Sequence, residues 1–82
     1  MEKLRDRVAV ITGAGSGIGR ALALECASAG CKVVLADIEA QPLQESHTLV
    51  SDLGVEALAV VTDVTQPESV EALAAAAIDR FG

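Results

Sequence analysis

Two rhythms of hydrophobic and polar positions alternate along the chain. Val8-Ala9-Val10-Ile11, Val33-Val34-Leu35-Ala36 and Ala57-Leu58-Ala59-Val60-Val61 are apolar at every position, the mark of short strands buried on both faces. They predict strands over Arg7 to Thr12, Lys32 to Asp37 and Ala57 to Thr62. The segments between them repeat at helical spacing instead. A first helix is expected from Gly17 to Ala29, with Leu22, Cys26 and Ala29 on its inward face and Gly30 as its stop. A second spans Ala40 to Leu53, with Leu43, Ser46, Val50 and Leu53 inward. Pro42 is tolerated in its first turn, and Gly54 closes it. A third starts after Thr65, where Thr65-Gln66-Pro67-Glu68 fits a capping box. Val70, Leu73, Ala77 and either Ile78 or Phe81 form its stripe.

Strand and helix three times over, joined by short turns, imply a parallel sheet with right-handed crossovers. Composition agrees. Of 82 residues 51% are hydrophobic, yet Phe81 is the only aromatic, and a core of Val, Leu, Ile and Ala suits parallel strands covered by helices on both faces. The length allows one small domain, or part of one. The first seven residues are mostly charged, and the apolar run behind them is too short for a signal-peptide core. No segment reaches the ~20 apolar residues a membrane helix needs, so a cytoplasmic protein is expected. A net charge of −6 argues against nucleic acid or an anionic membrane as partner. Cys26 and Cys31 lack metal-like spacing and are expected as small hydrophobes, one on a helix and one entering a strand. No metal site is expected.

The turn after the first strand holds the most specific pattern. Thr12-Gly13-Ala14-Gly15-Ser16-Gly17-Ile18-Gly19 places four glycines within seven residues. Strand, glycine turn, helix is the order that a phosphate-binding βα unit requires. A helix N-terminus carries unpaired N–H groups and partial positive charge, and glycines let an anion approach them. The literal G-x-G-x-x-G is absent, because its third glycine falls on Ile18 or Arg20. What remains is T-G-x-x-x-G-I-G, with Gly13, Gly17 and Gly19 as working glycines and Gly15 at a variable position. A bare flexible turn is the competing reading, against which the readable strand and helix on either side argue. With this motif on the first strand, the expected strand order is 3-2-1, half of a doubly wound α/β fold. The glycine turn then sits at the carboxyl end of strand one, where such sheets bind ligands.

On these residues the chain resembles the N-terminal cofactor-binding part of a short-chain dehydrogenase/reductase, whose cofactor motif is T-G-x-x-x-G-x-G. The resemblance runs from Arg5 to Gly82. It implies that residues 1–82 are the front of a single NAD(P)-binding Rossmann domain, stopping before a fourth strand. It also implies hydride transfer between the cofactor and an alcohol or carbonyl substrate in a full-length protein, which would be a homo-oligomer.

Asp37 ends strand two, eighteen positions after Gly19, close to the spacing of a ribose-binding carboxylate. Such a group accepts hydrogen bonds from the adenosine ribose hydroxyls and repels a 2′-phosphate; it would equally cap the next helix. By the resemblance, Ser16 and Ile38 stand where NADP-preferring members carry a basic residue. Neither is basic, so NAD is expected over NADP. The resemblance also gives Asp63 the adenine amine and the Val64 N–H a ring nitrogen. Read from the residues alone, Asp63 is a helix-initiating acid, and the two roles are compatible. The expected cofactor-binding set is Gly13, Ser16, Gly17, Ile18, Gly19, Asp37, Ile38, Asp63 and Val64. Arg20 is expected to point to solvent rather than reach a phosphate, and His47 to be a solvated surface residue. Glu68, Glu71 and Arg80 complement the dipole of the third helix.

The family's catalysis uses a serine, a Tyr-x-x-x-Lys pair and an asparagine. The sequence has no tyrosine and no asparagine, and its lysines are Lys3 and Lys32. No catalytic residue is therefore expected, and these residues alone should be inactive. The leading expectation is the NAD-binding front of an oxidoreductase. The alternatives are a non-enzymatic NAD-binding or regulatory module, and a structural piece that binds nothing.

Overall fold

The computed structural model describes residues 5–82; of the charged lead-in, residues 1–4 lie outside the described residues, Lys3 among them. Six elements follow in order: β1 (Val8–Thr12), α1 (Gly17–Ser28), β2 (Lys32–Asp37), α2 (Ala40–Ser51), β3 (Ala57–Val61) and α3 (Pro67–Phe81). The three strands are parallel in the order β1-β2-β3, the expected Rossmann-type half-sheet. Ile11 pairs with Leu35, and Leu35 with Ala59, so β2 is hydrogen-bonded along both edges.

That central place explains why the β2 run is apolar without interruption. Val33 and Leu35 face one side of the sheet, where Ile11 and Ala23 join Leu43 and Val50 in the larger core. Val34 and Ala36 face the other side, where Leu73 of α3 closes a smaller one. The alternation is the period-two pleat of a strand covered on both faces. Cys31 lies in the larger core and Cys26 packs against it, as small hydrophobes. Burial, reinforced by the neighbouring Cys31, pushes the Cys26 thiol up.

Several helix faces differ from expectation, each for a local reason. On α1 the buried residues are Ala23 and Ala27, whereas Leu22 is 51% exposed. A Cβ at Gly19 would overlap the Gly13 carbonyl, so the start of α1 lies close against the turn and presents small residues inward, with Leu24 and Cys26 packing partly against the same core. On α2, Leu43, Ser46 and Val50 are buried as expected, but Leu53 falls past the helix end and is exposed. On α3, Leu73 is buried and Ala77 and Phe81 pack with it, while Val70 and Ile78 face outward. The expected capping box does not form. Gln66 is the N-cap, because the Thr65 hydroxyl is taken by Asp63 Oδ1 at 2.6 Å. Ser69, at the third helical position, accepts the Asp63 N–H at 2.8 Å. His47 is half-buried rather than solvated, with Nε2 3.1 Å from the Ala57 carbonyl.

Among the described residues no helix is long and apolar enough to cross a membrane.

Candidate functional site

The carboxyl ends of the three strands are tied into one rim. The Ala14 N–H donates to the Ala36 carbonyl at 2.9 Å, and the Thr62 N–H to the Asp37 carbonyl at 2.9 Å. The last two carbonyls of β2 thus brace the segments that leave β1 and β3. Between them opens a cleft of about 260 Å³, lined by Gly13, Asp37, Ile38, Thr62, Asp63 and Val64 among others. Five of the nine expected site residues meet here.

The other four form the turn and the start of α1. Gly13 and Gly17 have φ of 64° and 57°, the left-handed region that side chains rarely adopt. A Cβ built on either meets nothing within 4 Å, so the space beside both is open. Gly19 is required for close helix packing instead. Ser16 is the N-cap of α1 but makes no side-chain capping bond, and the first turn of α1 carries no acidic residue. The N–H groups and positive dipole end of α1 therefore remain available to an anion. Ile18 is 88% exposed, and Ile38 and Val64 60% each. Ile38 and Val64 line the cleft, and exposed apolar side chains are the usual lining of a ligand site.

Asp37 closes the cleft. Its Oδ2 accepts the Gly15 N–H at 2.8 Å and its Oδ1 the Glu39 N–H at 3.0 Å. The Glu39 N–H holds the carboxyl below its ordinary value of 3.8; burial opposes this, and the N–H groups of Gly15 and Ile38 add to it. The group is a carboxylate at neutral pH, with acceptor capacity left on each oxygen. Glu39, and not Asp37, is the N-cap of α2, so Asp37 braces the approach to that helix through the Glu39 N–H without capping it. Asp63 behaves likewise. It lines the cleft, and its Oδ1 accepts both the Thr65 hydroxyl and the Thr65 N–H, which lower its pKa in that order.

Two residues carry more than the sequence suggested. Gly15 is buried, and a Cβ there would lie 2.8 Å from Asp37 Oδ2 and 3.1 Å from Pro42 Cβ, so the position is not freely variable. Arg20 does not point to solvent. It donates to the Gly15 carbonyl and to Ser46 Oγ at 2.7 Å each, to the Pro42 carbonyl at 3.1 Å, and meets Glu45 Oε1 at 3.4 Å. A fourth glycine, more than the motif needs, was the available signal for Gly15. Arg20 offered none, because Ser46 is 26 residues away.

Comparison with known proteins decides the family. The family model for short chain dehydrogenases matches residues 7–82. The chain belongs to the short-chain dehydrogenase family. It is 44% identical over 79 residues to 1-deoxy-11-beta-hydroxypentalenate dehydrogenase of Streptomyces exfoliatus, covering 96% of this chain and 29% of that protein. A short-chain dehydrogenase/reductase from Burkholderia phymatum, solved in complex with NAD, superposes with a TM-score of 0.95 at 46% identity, over 100% of this chain and 29% of that one. NAD+-bound xylitol dehydrogenase superposes with a TM-score of 0.94 at 36% identity, over 98% of this chain and 31% of its own. The chain thus spans under a third of the length of these short-chain dehydrogenases.

Proposed function

We propose that this chain is the NAD-binding front of a short-chain dehydrogenase/reductase-type oxidoreductase, and that it prefers NAD to NADP. The observation that carries the reading is Asp37, a carboxylate at the end of the central strand, in the cleft beside the glycine turn. The remaining features fit a dinucleotide. Side chains at Gly13 or Gly17 would fill the open turn, and the uncapped start of α1, with Ser16 and Ile18, suits a pyrophosphate. Asp37 accepts the adenosine ribose hydroxyls and repels a 2′-phosphate, while Ile38 adds no cation to attract one. Asp63 and the Val64 N–H serve the adenine. The NAD-bound relatives support the same assignment.

When bound, NAD supplies a hydride acceptor, and NADH a donor, for an alcohol or carbonyl substrate of the full-length protein. With no tyrosine or asparagine in the sequence, the proposal gives these residues recognition and not proton transfer. A cytoplasmic location and a homo-oligomeric full-length form belong to the same proposal. Titrating NADH and NADPH into the folded protein by their fluorescence tests it. Tighter NADH binding is expected; tighter NADPH binding refutes the preference, and binding of neither refutes the site.

A further inference from the structure

We infer that Gly15 and Arg20 are positioning residues for Asp37, so that discrimination between NAD and NADP is set at positions 15 and 20 as well as at 37. The inference rests on the reading of Asp37 given above. Gly15 is held through both of its main-chain polar groups, which belong to the two peptides that flank it. Its N–H donates to Asp37 Oδ2 at 2.8 Å, and its carbonyl accepts from the Arg20 guanidinium at 2.7 Å. The same guanidinium reaches α2, through Ser46 Oγ at 2.7 Å and the Pro42 carbonyl at 3.1 Å. Ser46 is fully buried, and Arg20 is the partner of its hydroxyl. The glycine turn, the first turns of α2 and the carboxylate at the end of β2 are therefore one hydrogen-bonded unit.

The unit is also sterically closed. A methyl at position 15 would stand 2.8 Å from Asp37 Oδ2, 3.1 Å from its Cγ and 3.1 Å from Pro42 Cβ. Pro42 is fixed by its ring and by α2, so the carboxylate is what gives way. It then loses the Gly15 N–H and turns from the position in which it receives ribose hydroxyls and faces a 2′-phosphate. Arg20 works from the opposite side. A fork that joins the Gly15 carbonyl to Ser46 and Pro42 fixes the Gly15–Ser16 peptide next to the one whose N–H Asp37 receives, and a lysine, with a single ammonium, cannot span these acceptors.

Four proteins test this: wild type, Gly15→Ala, Asp37→Ala and the double variant, titrated with NADH and NADPH after thermal melts show each is folded. Gly15→Ala should weaken NADH binding about tenfold and narrow the NADH/NADPH ratio, as befits loss of a charged hydrogen bond. In the Asp37→Ala background the same change should alter NADH affinity less than about twofold, because the effect runs through Asp37. An unchanged ratio in Gly15→Ala, or equal losses for both cofactors in both backgrounds, overturns the inference while leaving the Asp37 reading intact. If Asp37→Ala itself leaves the ratio unchanged, that reading fails and the inference with it. Arg20→Lys is the second variant, and decides the matter should Gly15→Ala not fold. Narrowed discrimination is expected; retained affinity and ratio would mean that Arg20 serves only as a cation, and would overturn its part.

Discussion

Replacing Asp37 with alanine removes the acceptor of two backbone N–H groups, and the structure says which loss matters. Glu39 is exposed, so water takes over its N–H. Gly15 is buried, and its N–H is left without a partner, a loss of about 1–3 kcal/mol. That is a large share of the ~5–10 kcal/mol that holds a small domain together. The pH dependence separates this from a generic defect. The folded carboxyl of Asp37 lies below its ordinary 3.8, so its contribution is complete above that value and is lost as pH falls through the folded pKa. Urea melts of wild type and Asp37→Ala should therefore differ most at neutral pH, and the gap should narrow over the window from about pH 5 down through the folded pKa. Contributions of the other carboxylates cancel in the difference. A gap that stays constant across that window, or that never exceeds ~0.5 kcal/mol, would refute the argument.

Gly19→Ala should destabilise by about 1–3 kcal/mol or more, because the new methyl meets the Gly13 carbonyl and neither backbone can yield without lifting α1. An unchanged denaturant midpoint would contradict it. Val8 and Val10 stand 42% and 50% exposed on β1, an edge strand, beside a groove of about 310 Å³ shared with Ala77, Ile78 and Phe81. Apolar edges of this kind pair with other chains, so sedimentation should show concentration-dependent association that Val10→Lys reduces. A wild type that remains monomeric at every concentration would disprove this.

The elements were legible because parallel strands buried on both faces leave uninterrupted apolar runs, and β2 needed no adjustment at either end. Helix faces were harder. Hydrophobic periodicity favours the largest side chains, and on α1 it pointed to Leu22, whereas the buried residues are Ala23 and Ala27, with Leu24 and Cys26 packed partly against the same core. The cap of α3 shifted because Thr65 had a stronger local partner in Asp63 than in the helix. Around the cleft, what depends on a single βα unit or a strand end could be read directly: the open glycine conformations of Gly13 and Gly17 and the place of Asp37 at the end of β2. What depends on contacts across the chain could not. Gly15 meets a carboxylate 22 residues away, and Arg20 a hydroxyl 26 away. Spacing within a motif carries no trace of either.

The bracing of both neighbouring turns by the final carbonyls of β2 constrains how the cleft can be reshaped among descendants of this chain. A one-residue insertion within Lys32–Asp37 would exchange Val33 and Leu35 with Val34 and Ala36 across the sheet, and would pull the Ala36 and Asp37 carbonyls away from Ala14 and Thr62. Such a lineage loses its fold before it gains a differently shaped cleft. Ile38 and Glu39 lie just beyond the braced segment with exposed side chains, and Ile38 joins neither core. Selection can rewrite those side chains one at a time, leaving the sheet behind them unaltered.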